Sequence, residues 1–537
     1  MVSTQLASKS AVRLHVSVER LRATWPLLAP IILLAIAVRL WGLDFGLPFL
    51  YHPDEPGYVM IVQRIFKTGD FNPHFFNYPS LFFYLNVLSY VPYYLAGWVA
   101  GVFRTPADIP EPQMVALGVG ETPMPSTFLL GRGLTLAFGV AAVVVVFFIG
   151  WRLTGSRVAG VLAAAMMAIS PFGVIHSRLI TPDMFVLFFV LLAFWATVHA
   201  FRSGVAEHYV LAGVAAGLAA SSKYNGALII IALLAAHFMR NGVSGFRSRK
   251  LYMALSAGVL SFLLTTPFAL LDFRSFLAGL QYEAQHYASG HTGMQGETFM
   301  YYVSHLRYVE GPVVLLAMAE IVRGVIVRSK PVILLSVFPA VYFVFINQFV
   351  VRNDRTLLPM LPFVYLLAAS FAVSVLRLKD RWPVGNDNGS LRRAGQAMVV
   401  VAVVVGVAVS LGFLWQQMVY NTELRLSGVR NRELARAWIN QNLPAGARVA
   451  VEAYTPYVDR ERFHVSGFTR LIERDPEWYV QNEFDYLVFS SFMFGRFYGG
   501  AAPSPEAMQY EKLFASFTLI KTFPHENYEI RVYQVNR

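Results

Sequence analysis

The sequence predicts a mainly α-helical protein that crosses a membrane many times and carries a small α/β domain at its C-terminal end. Three observations lead there. Of the 537 residues, 56% are hydrophobic and only 14% charged, with a mean hydropathy of +0.50. A soluble chain cannot bury that much apolar surface. The apolar residues fall in long runs, at about 25–42, 80–103, 127–151, 157–175, 183–202, 208–222, 225–240, 251–271, 309–328, 331–350, 355–376 and 395–418. From about residue 419 the runs stop, and helical and strand-like patterns alternate.

Charge supports the same class. The net charge of +12 would suggest nucleic acid in a soluble protein. Here the Lys and Arg lie between apolar runs, where they hold loops on the cytoplasmic side, so no nucleic-acid partner is expected. Cysteine is absent, which excludes disulfides, thiolate catalysis and Cys-based metal sites. No glycine-rich nucleotide motif is present, which argues against an ATP-driven mechanism. The first run, Trp25 to Trp41, follows Lys9, Arg13, Arg20 and Arg22 without a cleavable-signal pattern. Residues 1–24 therefore read as a cytoplasmic segment before a true span.

If every run crossed, the basic loops would conflict. Placing run 80–103 along the interface removes the conflict. It opens with Tyr78-Pro79, is rich in Tyr and contains Pro92, and Tyr belongs at headgroup depth. About eleven crossings remain. The basic segments 152–157, 240–250, 323–330 and 377–393 then lie inside; loops 43–126, 176–182 and 272–308 and the tail lie outside. Residues 25–418 form the membrane domain, with 43–126 as its first outer loop.

Runs 208–222 and 225–240 are short, about 15 residues each against the ~20 of a straight crossing. They meet at Ser221-Ser222-Lys223-Tyr224-Asn225-Gly226, a polar turn sunk in the outer leaflet. Broken backbone at that depth survives only where it lines a cavity or is covered by protein. In 419–537, residues 432–442 read as a helix, and 448–452, 484–489 and 528–533 as strands, giving an extracytoplasmic α/β domain.

The outer loops collect polar residues. Asp54 and Glu55 follow the first span in His52-Pro53-Asp54-Glu55-Pro56-Gly57. Adjacent carboxylates at a membrane surface repel and are poorly solvated, so they imply a use. Tyr58, His74, Asn77 and Tyr78 follow. The second loop is His176-Ser177-Arg178-Leu179-Ile180-Thr181-Pro182-Asp183; then come Lys223 and, after the tenth run, Arg352-Asn353-Asp354-Arg355. Each has a structural use as well. Asp183 can stabilise a helix start, and Arg352 and Arg355 can snorkel to headgroups. Together they suit one chemistry: cations hold a lipid phosphate, and a carboxylate deprotonates an incoming hydroxyl. A sugar leaving phosphate passes through an oxocarbenium-like state that nearby carboxylates stabilise.

At these residues the chain resembles membrane glycosyltransferases of the GT-C superfamily, in the lipid-carrier-dependent branch of protein O-mannosyltransferases and the lipid A aminoarabinose transferase (glycosyltransferase family 39-like). The resemblance covers about 25–380. It is carried by Asp54-Glu55 with Tyr58, Tyr78-Pro79-Ser80-Leu81, Gly131-Arg132, His176-Ser177-Arg178 through Asp183, Gly217 through Lys223, and Arg355 with Leu358-Pro359 and Pro362. It implies a polyprenyl-phosphate sugar donor, a hydroxyl acceptor on the outer face and inversion at the anomeric carbon. Asp54 would be the base, with Glu55 and Asp183 shaping the site. Lys223 and Arg355 would hold the donor phosphate, with Arg352, Tyr58, Tyr78, Arg178 and His176 as further substrate contacts. The insert 104–126 and the C-terminal domain depart from the family's simplest pattern and leave the acceptor open. No cofactor is assigned; a divalent metal held by the acidic pair, with His52 and His74 nearby, is an alternative. A lipid-linked-saccharide flippase or a membrane scaffold would be other readings. The first needs charges deep in the spans, and the second leaves Asp54, Asp183 and Lys223 without a role.

Overall fold

The computed structural model describes residues 24–290, 296–378, 389–498 and 503–536. The segment before Thr24, His291 and most of the 377–393 basic stretch lie outside these. The apolar runs become helices, and the chain is a multi-pass membrane protein. Among the described residues, Pro125–Thr154, Asp183–Ser203, Tyr224–Arg247 and Ala394–Asn442 are the 4 stretches long and apolar enough to cross by length and composition. Trp25–Leu40, Arg157–Ala168, Lys330–Ile346 and Leu361–Arg377 are shorter apolar helices. The Asp183–Ser203 helix is buried on nearly all sides, which is why its sequence is apolar all round.

Two features set the depth of the site. The helix Ala206–Ser222 packs backbone to backbone against Arg249–Thr265. A Cβ at Gly213 would lie 2.0 Å from the Ala254 carbonyl oxygen, and one at Gly217 would lie 2.2 Å from that of Gly258. Only small residues permit this approach. The helix then ends at Lys223, in extended backbone, and a 3-10 segment Tyr224–Ile229 precedes the helix Ile230–Asn241. The expected break between short helices is present, with Lys223 buried within it.

The Leu81–Val99 helix contains Pro92 and buries Phe82, Phe83, Val87 and Tyr90 while exposing Leu88, Leu95 and Trp98. The insert after it forms a hairpin of β1 (Gln113–Ala116) and β2 (Val119–Glu121), turned at Gly118, whose φ of +67° favours glycine.

The C-terminal part holds β3 (Arg448–Val451), β4 (His464–Gly467), β5 (Tyr486–Ser490), β6 (Thr518–Phe523) and β7 (Ile530–Gln534). They form one 5-stranded sheet in the order β4-β3-β5-β7-β6. β3 pairs in parallel with β4 and β5; β7 pairs antiparallel with β5 and β6. The strands read from sequence are the three inner ones, β3, β5 and β7. The edge strands β4 and β6 are mostly exposed or half-buried and lack the apolar signal.

Two expectations need correction. Residues 432–442 are not a separate helix but the end of one unbroken helix, Gly389–Asn442, of 54 residues. At ~1.5 Å per residue it is about 80 Å long, so it passes through position 418/419 and beyond any bilayer. The spans also hold more buried charge than expected. Arg39, Arg132, Glu310 and Glu320 are each 0–1% exposed. All have partners: Arg39 donates to the Ala168 carbonyl (2.8 Å) and Ser177 Oγ (3.1 Å), Tyr365 donates to Glu310 (2.8 Å), and Glu320 pairs with Arg323 (2.6 Å).

Candidate active site

Asp54 stands just before the Glu55–Thr68 helix, its side chain free of the helix amides, after a turn in which His52 Nδ1 accepts from the amides of Asp54 (3.3 Å) and Glu55 (3.4 Å). Its carboxylate accepts from Arg355 Nη1 at 2.7 Å. The pair stays partly open, with 30% of the Asp54 side chain and 22% of that of Arg355 exposed. Burial pushes the Asp54 pKa up, but Arg355 and His52 outweigh it and hold the carboxylate below its ordinary value. Burial also lowers the His52 pKa to about 4, leaving a neutral imidazole that can accept from those amides.

Asp183, in the first turn of its helix, meets Lys223 across the bundle: Nζ donates to Oδ1 at 2.8 Å. This pair is 8% and 3% exposed. Oδ2 of Asp183 is buried without a hydrogen bond among the described residues. Asp183 also lies within Coulombic range of Arg355 and His176, and Asp54 within range of Asp183. The two ion pairs are thus neighbours. Lys223 sits 5.9 Å from the centre of the Tyr78 ring. Both border a cavity of about 240 Å³ with Asn77, Glu283, Tyr287 and Tyr302. Tyr58 is buried behind Tyr78, edge to face at 5.8 Å.

Asp54, Asp183, Lys223, Arg355, Tyr78 and Tyr58 therefore gather as the sequence suggested; other expected residues do not. Glu55 turns inward. Its carboxylate takes both arms of Arg132 (3.0 and 2.8 Å) and the Ile180 amide (2.9 Å) and is 2% exposed. Burial raises its pKa and Arg132 more than reverses this. As placed, it cannot touch a substrate; it ties the first outer loop to the second span and the second loop. Arg178 is likewise occupied, donating to the Val38 carbonyl and to Thr422 Oγ1 (3.3 Å), and so fastens the first span to the long helix. Arg352 stacks over Tyr301 (5.4 Å) and borders a separate cavity of about 390 Å³ with Glu297, Ser304 and His305. His176 is buried, its Nε2 3.6 Å from Asp354 Oδ1.

The acidic pair does not fit a shared divalent metal. Glu55 is consumed by Arg132 and turned away from Asp54, which pairs with Arg355, and His74 pairs with Asp70 at 2.8 Å. Sequence reasoning gave no role to Arg132, Asp354 or Arg39. For Arg39 and Arg132 a charge inside an apolar run was the available signal, since such a charge must have a partner; Asp354 lies between two runs and gave none.

Residues 129–270 match the family model of dolichyl-phosphate-mannose-protein mannosyltransferases. The fold is similar to that of ArnT from Cupriavidus metallidurans bound to undecaprenyl phosphate, at TM-score 0.53 and 15% identity, over 95% of this chain and 98% of that one. Apo ArnT gives 0.52 and 16%, over 96% and 98%. The apo oligosaccharyltransferase of Archaeoglobus fulgidus gives 0.50 and 13%, over 88% and 70%. A search of curated protein sequences finds no match to this chain. At 13–16% identity the likeness to these structures is one of fold: a helical membrane body, here with two ion pairs gathered at one end. The family-model match is confined to residues 129–270, the stretch that includes Arg132, Asp183 and Lys223.

Proposed function

We propose that the protein moves a sugar from a polyprenyl-phosphate donor to a hydroxyl acceptor on the extracytoplasmic face of the cell membrane, with inversion at the anomeric carbon. The carrying observation is the adjacency of the pairs Asp54–Arg355 and Asp183–Lys223 beside the Tyr78 cavity. Asp54 takes the proton of the acceptor hydroxyl as its oxygen attacks the anomeric carbon. The bond from that carbon to the phosphate oxygen breaks, and lipid phosphate leaves with the electron pair. Lys223 and Arg355 hold that phosphate and its developing charge. Asp183 orients Lys223, Tyr58 supports Tyr78, and Glu55 with Arg132 holds the helix that Asp54 precedes. Arg352 borders the acceptor side, and His176, buried beneath, holds Asp354 next to Arg355. A larger apolar cavity of about 800 Å³, lined by residues including Leu306, Met318, Phe343 and Phe413, has the chemistry a prenyl chain needs.

The basic loops support a cytoplasmic N-terminus, and residues 419–537 then lie outside as a soluble domain. ArnT, solved with undecaprenyl phosphate, supports the donor class. The test is to incubate purified protein with a panel of polyprenyl-phosphate sugars and follow which is consumed. Consumption of none, with and without glycan, lipid or peptide acceptors, would overturn the reading.

A further inference from the structure

The C-terminal end of the long helix and the sheet grip the segment that leads into Asp54. Arg432 is 3% exposed and lies between two rings, 4.1 Å from the centre of Tyr51 and 4.8 Å from that of Tyr528. Its Nη1 also donates to the Tyr51 carbonyl at 3.4 Å. The Tyr51 hydroxyl donates to Glu433, and Glu433 pairs with Arg436 at 2.8 Å. Arg436 in turn covers the Phe49 ring at 4.3 Å, and Tyr457 stacks on its plane at 5.2 Å. Gly428 admits Tyr528: a Cβ there would lie 2.4 Å from its ring.

A second strap runs through the hairpin. The Leu50 amide donates to the Gly120 carbonyl (2.8 Å), and the Tyr454 amide to the Leu117 carbonyl (2.9 Å). Gly467 in β4 lies so close to β1 that a Cβ would be 1.9 Å from the Val115 carbonyl oxygen. Phe49 to Tyr51 are therefore fixed from two directions, and Asp54 follows three residues later through the His52 turn.

We infer that Arg432, Tyr51 and Glu433 are positioning residues for transfer: the C-terminal domain clamps the Phe49–Tyr51 segment and thereby sets where the Asp54 carboxylate stands. This rests on the proposed function. Neither Arg432 nor Glu433 touches the phosphate cations, so the clamp governs the placement of the base and not the holding of the donor. Misplacing a reacting group by about 1 Å can cost about 100-fold in rate.

The experiment compares the full-length protein with Arg432→Ala, Arg432→Lys, Tyr51→Phe and Asp54→Asn, using as donors the same panel of polyprenyl-phosphate sugars. Arg432→Ala should lower kcat by about 10–100-fold while donor KM stays within about twofold. Arg432→Lys should recover part of that loss, since Lys keeps the charge over the rings but not the planar stack. The acid limb of the pH–rate profile should move in Arg432→Ala, as Asp54 shifts against Arg355. Unchanged kcat, or a rise in KM alone, overturns the clamp. If Arg432→Ala does not fold, Arg432→Lys and Tyr51→Phe decide, and parental kcat in both overturns it. A dead Asp54→Asn beside a fully active Arg432→Ala overturns the clamp alone. Normal turnover by Asp54→Asn overturns the base and the clamp together.

Discussion

Asp54 and Glu55 are neighbours in the chain, yet the fold puts their carboxylates to different uses. One begins a helix and looks outward, 30% exposed, held by a single contact from Arg355. The other, one residue on, looks into the bundle, 2% exposed, with both oxygens consumed by Arg132 and a backbone amide. The first can give up part of its pairing to a substrate; the second cannot without breaking the fold. The C-terminal domain adds a third case. Glu452 is fully buried with no cation against it, and accepts only from the Ser490 amide (2.9 Å), Tyr510 (2.9 Å) and the Leu471 amide (3.4 Å). A carboxylate's use follows from its exposure and from whether its partner carries charge.

The comparison breaks first, if it breaks, at Asp54. Asp54→Asn should remove about 100- to 10,000-fold of turnover, read as donor consumption, while the thermal unfolding midpoint is kept. Glu55→Gln should do the reverse in kind. It strands Arg132 in a buried site and should cost about 3–5 kcal/mol, read as a lower unfolding midpoint in detergent, with activity lost only as the fold is lost. A stable Glu55→Gln protein without turnover would move Glu55 into the reaction.

Lys223→Met tests whether the sunken pair is a phosphate site or only a structural one. Donor KM should rise by about 10–100-fold, the loss of one charge-assisted contact. Adding Asp183→Asn should restore stability but not donor affinity; recovery of both would make the pair structural.

The pH dependence separates Asp54 from Glu452. Burial raises the Asp54 pKa, and Arg355 more than offsets it, so kcat/KM should hold as pH falls toward the ordinary carboxylate range near ~4. Arg355→Gln leaves burial dominant, and the acid limb should move up. For Glu452 burial wins over its hydrogen bonds and lifts the pKa from the ordinary 4.5 to about 8. A group raised on folding contributes stability that is full below its unfolded value. That contribution is lost as pH rises from about 4.5 through about 8. Glu452→Gln should flatten this loss, read as a thermal unfolding midpoint that changes less between about pH 4.5 and 8 than that of the parent.

The sequence made Asp54, Asp183, Lys223 and Arg355 legible because a charge in an apolar chain is costly and stands out. It could not separate Asp54 from Glu55. One residue at a helix start turns a side chain through about 100°, and nothing local says which way the bundle lies. Arg352 and Arg355 looked equivalent for the same reason, yet Arg352 borders a cavity beside Tyr301 while Arg355 pairs with Asp54. Arg178 and Arg39 were opaque because they bond largely to carbonyls and hydroxyls distant in sequence. The continuity of Gly389–Asn442 was hidden because its composition changes where it leaves the apolar stretch, while its hydrogen bonding does not.

That helix also imposes a rule of phase. Its apolar stretch, its Thr422 contact to Arg178 and its Arg432 contact to Tyr51 lie on one rod with one pitch. Substitutions between 398 and 418 leave the rotation of the far end untouched. A single inserted residue turns everything beyond it by about 100° and advances it by ~1.5 Å. Evolution of this segment is thus open in residue type and closed in length, in the manner of a keyed shaft.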